Sequence, residues 1–420
     1  MNAANPTMGN SSRYNTVAGF LLYLFIAISY VVNAMDRSVF AQLTTYVKRD
    51  LHLSLSEAGF VTTVFAIGFG LTGFVAGYLL DRYKRKNVLV VGMLIYSIFT
   101  ILMALSSGFF DITLYRLITG IGEAMQQTAL WTMAGVIFAR HRNLSLGGMN
   151  CAYGVGNFLG PIIGIEIFLH GSMSWHLPLY VFGIIGIIYA LLILFFLPQD
   201  FSEYGKEEAR LQVIADKVKN AAAATNPYFT TRSITIALAL VGIANLLSGT
   251  VNYSYLGLYP TFLKAHLGFS PTDAAVATSM YGIGGFTGLI SGYLADKYGE
   301  RIIIFIALAC SIVAGVLMFN VATELWEQVI LSLIFGSFTS GFLFVNLYAL
   351  TQRVVPAQHV GKGSGVASSA HYIGAGFSGA IFGALVTGMG WGSASLIIMV
   401  VLPVLAGICI ASIKVPPKQV

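Results

Sequence analysis

Residues 77–85 read Gly77-Tyr-Leu-Leu-Asp81-Arg82-Tyr-Lys-Arg85, and residues 292–301 read Gly292-Tyr-Leu-Ala-Asp296-Lys-Tyr-Gly-Glu-Arg301. A glycine, a tyrosine, two apolar residues, an acid and a basic run recur in one order. Upstream stands a second matching pair: Lys48-Arg-Asp-Leu-His-Leu-Ser54-Leu-Ser-Glu57-Ala and Lys264-Ala-His-Leu-Gly-Phe-Ser270-Pro-Thr-Asp273-Ala. In each, a serine lies three residues before an acid, the pattern in which side chains and backbone N–H groups cap an opening helix. Pro271 suits the first helical position. The pairs are offset by 216 and 215 residues. A duplicated unit is the economical explanation.

The chain around these motifs is too apolar for water. Of 420 residues 56% are hydrophobic and only 10% charged, with a mean hydropathy of +0.78. Soluble domains carry about 25% charged residues, so a soluble multidomain enzyme is excluded. A span of about 20 apolar residues crosses the hydrocarbon layer. Such stretches are expected at 16–46, 55–80, 87–106, 111–138, 143–170 and 175–197, then at 232–264, 271–295, 301–321, 326–352, 361–388 and 391–413. The expected fold is all-α and integral to the membrane, with twelve transmembrane helices in two pseudo-symmetric six-helix bundles. The bundles occupy 16–197 and 232–413, with a polar linker at 198–231, an N-terminal tail at 1–15 and a C-terminal tail at 414–420. Forty-six glycines suit helices that approach closely. The linker's charges suit a surface helix.

The formal charge of +6 does not signal nucleic acid, because the basic residues are segregated. With the N-terminus in the cytoplasm, that side takes all but five of the 23 lysines and arginines. Lys48, Arg49 and Lys264 fall in outer loops, and Arg37 and Arg116 inside spans. Basic residues collect on the cytoplasmic side, so both termini are expected there, in a multi-pass protein of the plasma membrane (a bacterial inner membrane). The polar start Met1–Asn15 runs into a long apolar stretch without a convincing cleavage site, so the first span is read as retained. Cys151, Cys310 and Cys409 fall in apolar spans as packing residues. No nucleotide-binding glycine loop, Walker sequence or zinc spacing occurs. No cofactor is expected, nor ATP hydrolysis on this chain.

The repeated loop resembles the signature of the major facilitator superfamily. The resemblance implies that these loops latch the two halves in the outward-facing state. Gly77 and Gly292 would permit tight helix contact, Asp81 and Asp296 would accept hydrogen bonds at a helix end, and Arg82, Arg85 and Arg301 would anchor the cytoplasmic face. These are expected gating residues rather than substrate ligands.

Charges inside spans carry the chemistry, because each costs about 2.5–3.5 kcal/mol at a helix centre and therefore usually has a partner. The first span contains Asn33-Ala-Met-Asp36-Arg37, and the fourth Arg116-Leu-Ile-Thr-Gly120-Ile-Gly122-Glu123-Ala124. Arg116 and Glu123 lie two turns apart on one helix face, about 10 Å. With Leu258-Tyr259-Pro260-Thr261, these motifs look like the anion:cation symporter branch. That resemblance implies proton coupling by Asp36 and Glu123, and arginines, Arg37 and Arg116, that meet the substrate's negative charge or neutralise the acids. Burial favours the neutral form of an acid and a nearby arginine the ionised form. An anion engaging Arg116 would thus withdraw it from Glu123 and favour proton uptake. The competing reading is static ion pairs.

The same Asp-Arg and Gly-x-Gly-Glu-Ala motifs are also similar to the Spinster family of lysophospholipid and sphingoid transporters. The run Gly156-Asn-Phe-Leu-Gly160-Pro161-Ile-Ile-Gly164 resembles the glycine-proline motif of proton-antiporting exporters, except for Ile165. Glycines at this spacing also serve plain helix packing. Tyr153 and Asn157 in the fifth span, and Tyr255 and Tyr259 in the seventh, are further candidates for substrate contact, beside Asn150, Asn252, Tyr253, Gln126 and Gln127. His371 is a candidate proton carrier, with packing histidine as the alternative.

The expectation is therefore a secondary active transporter, not an enzyme. It would work by alternating access as a proton-coupled symporter of a small organic anion, a carboxylate or a sugar acid. A Spinster-like lipid transporter or an exporter of amphipathic compounds is the alternative. Membrane lipids surround it, and a monomer is expected by resemblance.

Overall fold

The computed structural model describes residues 17–137, 142–203, 231–355 and 360–413. Both tails and most of the linker lie outside the described residues, and with them the expected surface helix. The described chain is helical throughout its elements. The first six crossings are α1 (Val17–Asp50), α2 with α3 (Leu55–Thr63 and Phe65–Arg82, meeting at Val64), α4 (Arg85–Met103), α5 (Phe109–Ile137), α6 (Arg142–His170) and α7 (His176–Phe196). A short α8 (Gln199–Ser202) follows. The last six are α9 (Thr231–Ala265), α10 with α11 (Pro271–Gly284 and Gly288–Tyr298), α12 (Glu300–Asn320) and α13 with α14 (Leu325–Gly336 and Val345–Arg353, joined by a π-helical stretch at Ser337–Phe344). They end with the two crossings formed by α15 (Val360–Leu396) and α16 (Leu402–Ala411). Gly390, at φ 78° and ψ 168°, breaks α15 where the sequence expects the loop between crossings eleven and twelve.

Nine stretches among the described residues are long and apolar enough by composition to cross a membrane. Gly390 divides the last of these in two. The fourth and eighth crossings fall short, the fourth because α5 carries Asp111, Arg116 and Glu123. A helix that hosts charge cannot also be uniformly apolar.

The matched helix starts form as expected. The Ser54 hydroxyl accepts from the Glu57 N–H at 3.1 Å, and the Ser54 N–H donates to the Glu57 carboxylate at 2.8 Å. Ser270 likewise accepts from the Asp273 N–H at 3.1 Å, with Pro271 in the first turn. Each half has its own buried apolar clusters. Two clusters join the halves, one holding Phe65, Phe69, Tyr253 and Tyr372, the other bringing Ala275 to Val39, Phe40 and Phe168.

The halves meet at the end where α1 and α9 finish and α2 and α10 begin. There the Lys264 ammonium donates to the Gln42 carbonyl, and Ser56 donates to the Ala380 carbonyl at 3.0 Å. Gly59 and Gly379 lie backbone to backbone, so a Cβ on either would run into the other's carbonyl. Gly154 and Gly282 pair in the same way between α6 and α10.

At the opposite end the expected glycine contacts are not made: a Cβ on Gly77 or Gly292 would meet nothing within 4 Å. Among the described residues the inter-half contacts are gathered toward the far end, and the signature loops instead hold each half to itself. The Arg85 N–H donates to Glu203 at 2.6 Å and Lys86 to the Leu197 carbonyl at 2.6 Å, tying the loop to the end of the sixth crossing. Arg301 donates to the Ala411 carbonyl, at the end of the twelfth. Arg82 is exposed and donates to the Tyr78 hydroxyl at 2.8 Å. The side chains of Asp81 and Asp296 lie outside the described residues.

Candidate functional site

A cavity opens between the halves. The first half contributes Arg37, Ser38 and Ala41 of α1, Thr62 and Thr63 of α2, Phe65 of α3, and Tyr153, Asn157 and Pro161 of α6. The second contributes Tyr253, Leu256 and Gly257 of α9 and Thr278 and Tyr281 of α10. Arg37 is the charged residue on this wall. Its guanidinium carbon lies 5.2–5.5 Å from the ring centres of Phe65, Phe69 and Tyr153. A weakly hydrated planar cation tolerates such surroundings far better than an ammonium would.

Behind the wall lies a buried charge cluster. Arg37 Nε stands 2.9 Å from Glu123 Oε2, with side chains 4% and 0% exposed. The contact lacks hydrogen-bond alignment, so it is a meeting of charges rather than a directed bond. Arg37 Nη2 donates to Asn33 Oδ1 at 3.2 Å, and Asn33 in turn donates to Gln126 Oε1 at 2.9 Å. Arg116 donates to the Arg37 carbonyl at 3.2 Å, with its guanidinium 4.8 Å from the Phe40 ring centre and 4.7 Å from that of Phe65. Asp36 accepts from the Thr100 hydroxyl at 2.9 Å and interacts electrostatically with Glu123 and Arg116. Two carboxylates and two guanidiniums thus share one buried region of the first half.

The sequence brings these four together, but their roles are redistributed. Glu123 faces Arg37 of α1, not Arg116 of its own helix, because a seven-residue spacing leaves the latter two turns away. Arg116 is 1% exposed and sits between aromatic rings instead of on the cavity wall. Asp36 precedes Arg37 by one residue, so it turns about 100° around the helix and meets α4.

Tyr153 and Asn157 line the cavity as expected. Tyr255 and Tyr259 do not: they stack on each other at 4.6 Å inside the second half, and their hydroxyls meet Ser332 at 2.7 Å and Gln328 Oε1 at 2.8 Å. Tyr253, a weaker candidate, takes the wall position on that helix. Two residues along an α-helix lie about 200° apart, so Tyr253 and Tyr255 point in nearly opposite directions. Thr62, Thr63, Thr278 and Tyr281 were not anticipated. His371 stands behind the wall, its ring 6.0 Å from Tyr253 and 4.9 Å from Phe344. The glycines of α6 serve packing against α1. A Cβ on Gly156 would strike the Val31 carbonyl, and one on Gly160 the Ser38 hydroxyl.

Known proteins align with this architecture end to end. The Major Facilitator Superfamily family model matches residues 26–245 and again 241–420. The hexuronate transporter of Bacillus subtilis is 26% identical, with 85% of this chain and 86% of that protein aligned. The 4-hydroxybenzoate transporter of Acinetobacter baylyi is 25% identical over 94% of this chain and 90% of its own. The inward-facing, unoccupied crystal structure of a bacterial homologue of the human lysosomal transporter Spinster superposes with a TM-score of 0.72. That match has 16% identity and covers 95% of this chain and 96% of the other. Two matches of one family model, two six-helix halves and a cavity between them lead to one conclusion: the chain is a multi-pass membrane transporter that belongs to the Major Facilitator Superfamily.

Proposed function

We propose that the chain is a proton-coupled symporter of a small organic anion, working by alternating access from the cavity around Arg37. The carrying observation is the contact of Arg37 on the cavity wall with Glu123 behind it. With both acids ionised, Asp36, Arg37, Arg116 and Glu123 sum to zero charge. Protonating Glu123 leaves one positive charge in excess, and the guanidinium it releases faces the cavity. A substrate carboxylate replaces the lost negative charge. Proton and anion then favour each other's binding by the same factor, because coupling between two sites is reciprocal. Arginine keeps its own proton throughout.

Hexuronate and 4-hydroxybenzoate, the substrates named for the two relatives above, are both organic acids, which supports the anion reading. The contacts of Lys264 and Gly59 with the opposite half close the end expected to face outward. In this reading both termini are cytoplasmic, Arg116 and Asp36 balance the cluster, His371 is a secondary proton carrier, and Gly77, Asp81, Arg82, Arg85, Gly292, Asp296 and Arg301 act in gating. The protein works as a monomer in a bacterial inner membrane.

Reconstitution in proteoliposomes tests the coupling. Glu123→Gln keeps substrate exchange across the membrane but loses accumulation driven by an imposed proton gradient. Intact accumulation by Glu123→Gln, or transport of a lysolipid with no response to any organic acid, would overturn the proposal.

A further inference from the structure

We infer that the anion is an aromatic monocarboxylate rather than a sugar acid, a narrowing that rests on the anion symport proposed above. Hydrogen-bond bookkeeping on the cavity wall carries it. Of the uncharged lining side chains that could offer protons to a polyhydroxylated substrate, six, Ser38, Thr62, Thr63, Asn157, Thr278 and Tyr281, already donate elsewhere, which leaves the hydroxyls of Tyr153 and Tyr253 and one N–H of Asn157. Ser38, Thr62, Thr63 and Thr278 donate to the carbonyls of Met35, Ala58, Gly59 and Ala274, at 3.1, 2.8, 3.1 and 2.7 Å. Asn157 donates to the Tyr153 carbonyl at 2.9 Å, and Tyr281 to Asn252 Oδ1 at 2.7 Å. These bonds close within one helix turn or within one half, so the transport cycle does not need to break them; Thr63 in addition reaches the Gly376 carbonyl of the other half at 3.0 Å.

A sugar acid brings a ring oxygen and several hydroxyls, more acceptors than these few donors can meet, and the remaining lone pairs would face oxygens with their protons turned away. Each buried acceptor left unmet weakens binding by about tenfold or more. A carboxylate, by contrast, finds what it needs. Nη1 of Arg37 has no hydrogen-bond partner among the described residues, and Arg37 is the single cation on the wall. One cation fits one carboxylate; a second would be stranded. Four rings face the cavity from both halves. Phe65 and Tyr153 belong to the first and Tyr253 and Tyr281 to the second, and Phe65 already packs on Tyr253 at 5.9 Å. A flat ring between such faces gains offset or edge-on aromatic contact and asks for no donors.

Binding to the purified, detergent-solubilised full chain tests this, with benzoate, cyclohexanecarboxylate and glucuronate as probes and titration calorimetry as readout. Benzoate should bind at least tenfold more tightly than glucuronate and more tightly than cyclohexanecarboxylate. Tyr253→Leu should weaken benzoate about tenfold, and Tyr253→Phe, which keeps the ring and controls for folding, by no more than about threefold. Glucuronate binding as tightly as benzoate, or cyclohexanecarboxylate matching it, would overturn the aromatic assignment and leave anion symport standing. Failure of all three carboxylates, with lysophosphatidylcholine bound or not, would overturn both.

Discussion

Arg37 and Glu123 are held 2.9 Å apart by two different helices, and of the two Arg37 alone lines the cavity. The pair therefore reports the occupancy of a surface to a group that the surface does not contain. Breaking a buried pair by removing one partner costs about 3–5 kcal/mol, because the survivor is left unpaired. Arg37→Ala should destabilise the fold by about that much. The double variant Arg37→Ala/Glu123→Gln should recover at least half of the loss, since no orphan charge remains. Thermal unfolding of the detergent-solubilised variants measures both, and equal destabilisation of single and double variants would argue against the pairing.

Arg37→Lys separates charge from geometry. The guanidinium meets Asn33 through one nitrogen and Glu123 through another while three rings surround its plane. A lysine ammonium is a compact, strongly hydrated charge that cannot reproduce this. Arg37→Lys should lose substrate affinity by about tenfold or more, as a charge-assisted bidentate contact is worth roughly twice a neutral hydrogen bond. Radioligand binding with near-native affinity in Arg37→Lys would reduce the role of Arg37 to plain charge.

The direction of pH dependence follows from the same contact. Ionised Glu123 holds Arg37 and competes with the substrate, whereas protonated Glu123 releases it. Substrate affinity should therefore rise as pH falls. On the alkaline side the apparent Kd should climb by up to tenfold per pH unit. In Glu123→Gln the slope should flatten and the affinity should stay at the wild-type acid-side value. A pH profile unchanged by Glu123→Gln would move the coupling to another group, with Asp36 the next to test.

Much of this arrangement was legible beforehand, for reasons that differ by residue. The duplicated loop and the capping serines fixed helix starts because capping is local, needing only a hydroxyl and an acid three residues on. Arg37, Arg116, Asp36 and Glu123 stood out because charge in an apolar span demands explanation. Which arginine meets Glu123 was not legible. Spacing along α5 shows that Arg116 shares its face, but it does not show which neighbouring helix reaches that face. The choice among Tyr253, Tyr255 and Tyr259 failed in the same way, since a cluster of tyrosines on one helix does not state which side is inward. A signal did exist. Gln328 and Ser332 lie four apart near the start of the tenth span, matching the spacing of Tyr259 and Tyr255, and these two pairs bond to each other. Gly77 was read as a packing glycine, yet its partner surface is absent from this conformation.

That last point separates two classes of glycine. On Gly379 a methyl group would strike the Gly59 carbonyl, and on Gly282 it would lie 2.6 Å from backbone atoms of Gly154 and Phe158. Backbone cannot step aside as a side chain can, so Gly379→Ala or Gly282→Ala should prevent this end of the molecule from closing. Transport should fall by more than about tenfold, and a cysteine placed at Thr261, which approaches Thr45 at 3.5 Å across the closed end, should become reactive to an impermeant maleimide added outside. Gly77→Ala and Gly292→Ala meet open space here, so they should leave the thermal stability of this conformation within about 0.5 kcal/mol of wild type. If they slow transport nonetheless, their contact belongs to the opposite state, where the signature loops would close the other end. Normal transport by Gly379→Ala with Thr261→Cys still protected would show that the halves do not need this approach, and would remove the glycine pair from the gate.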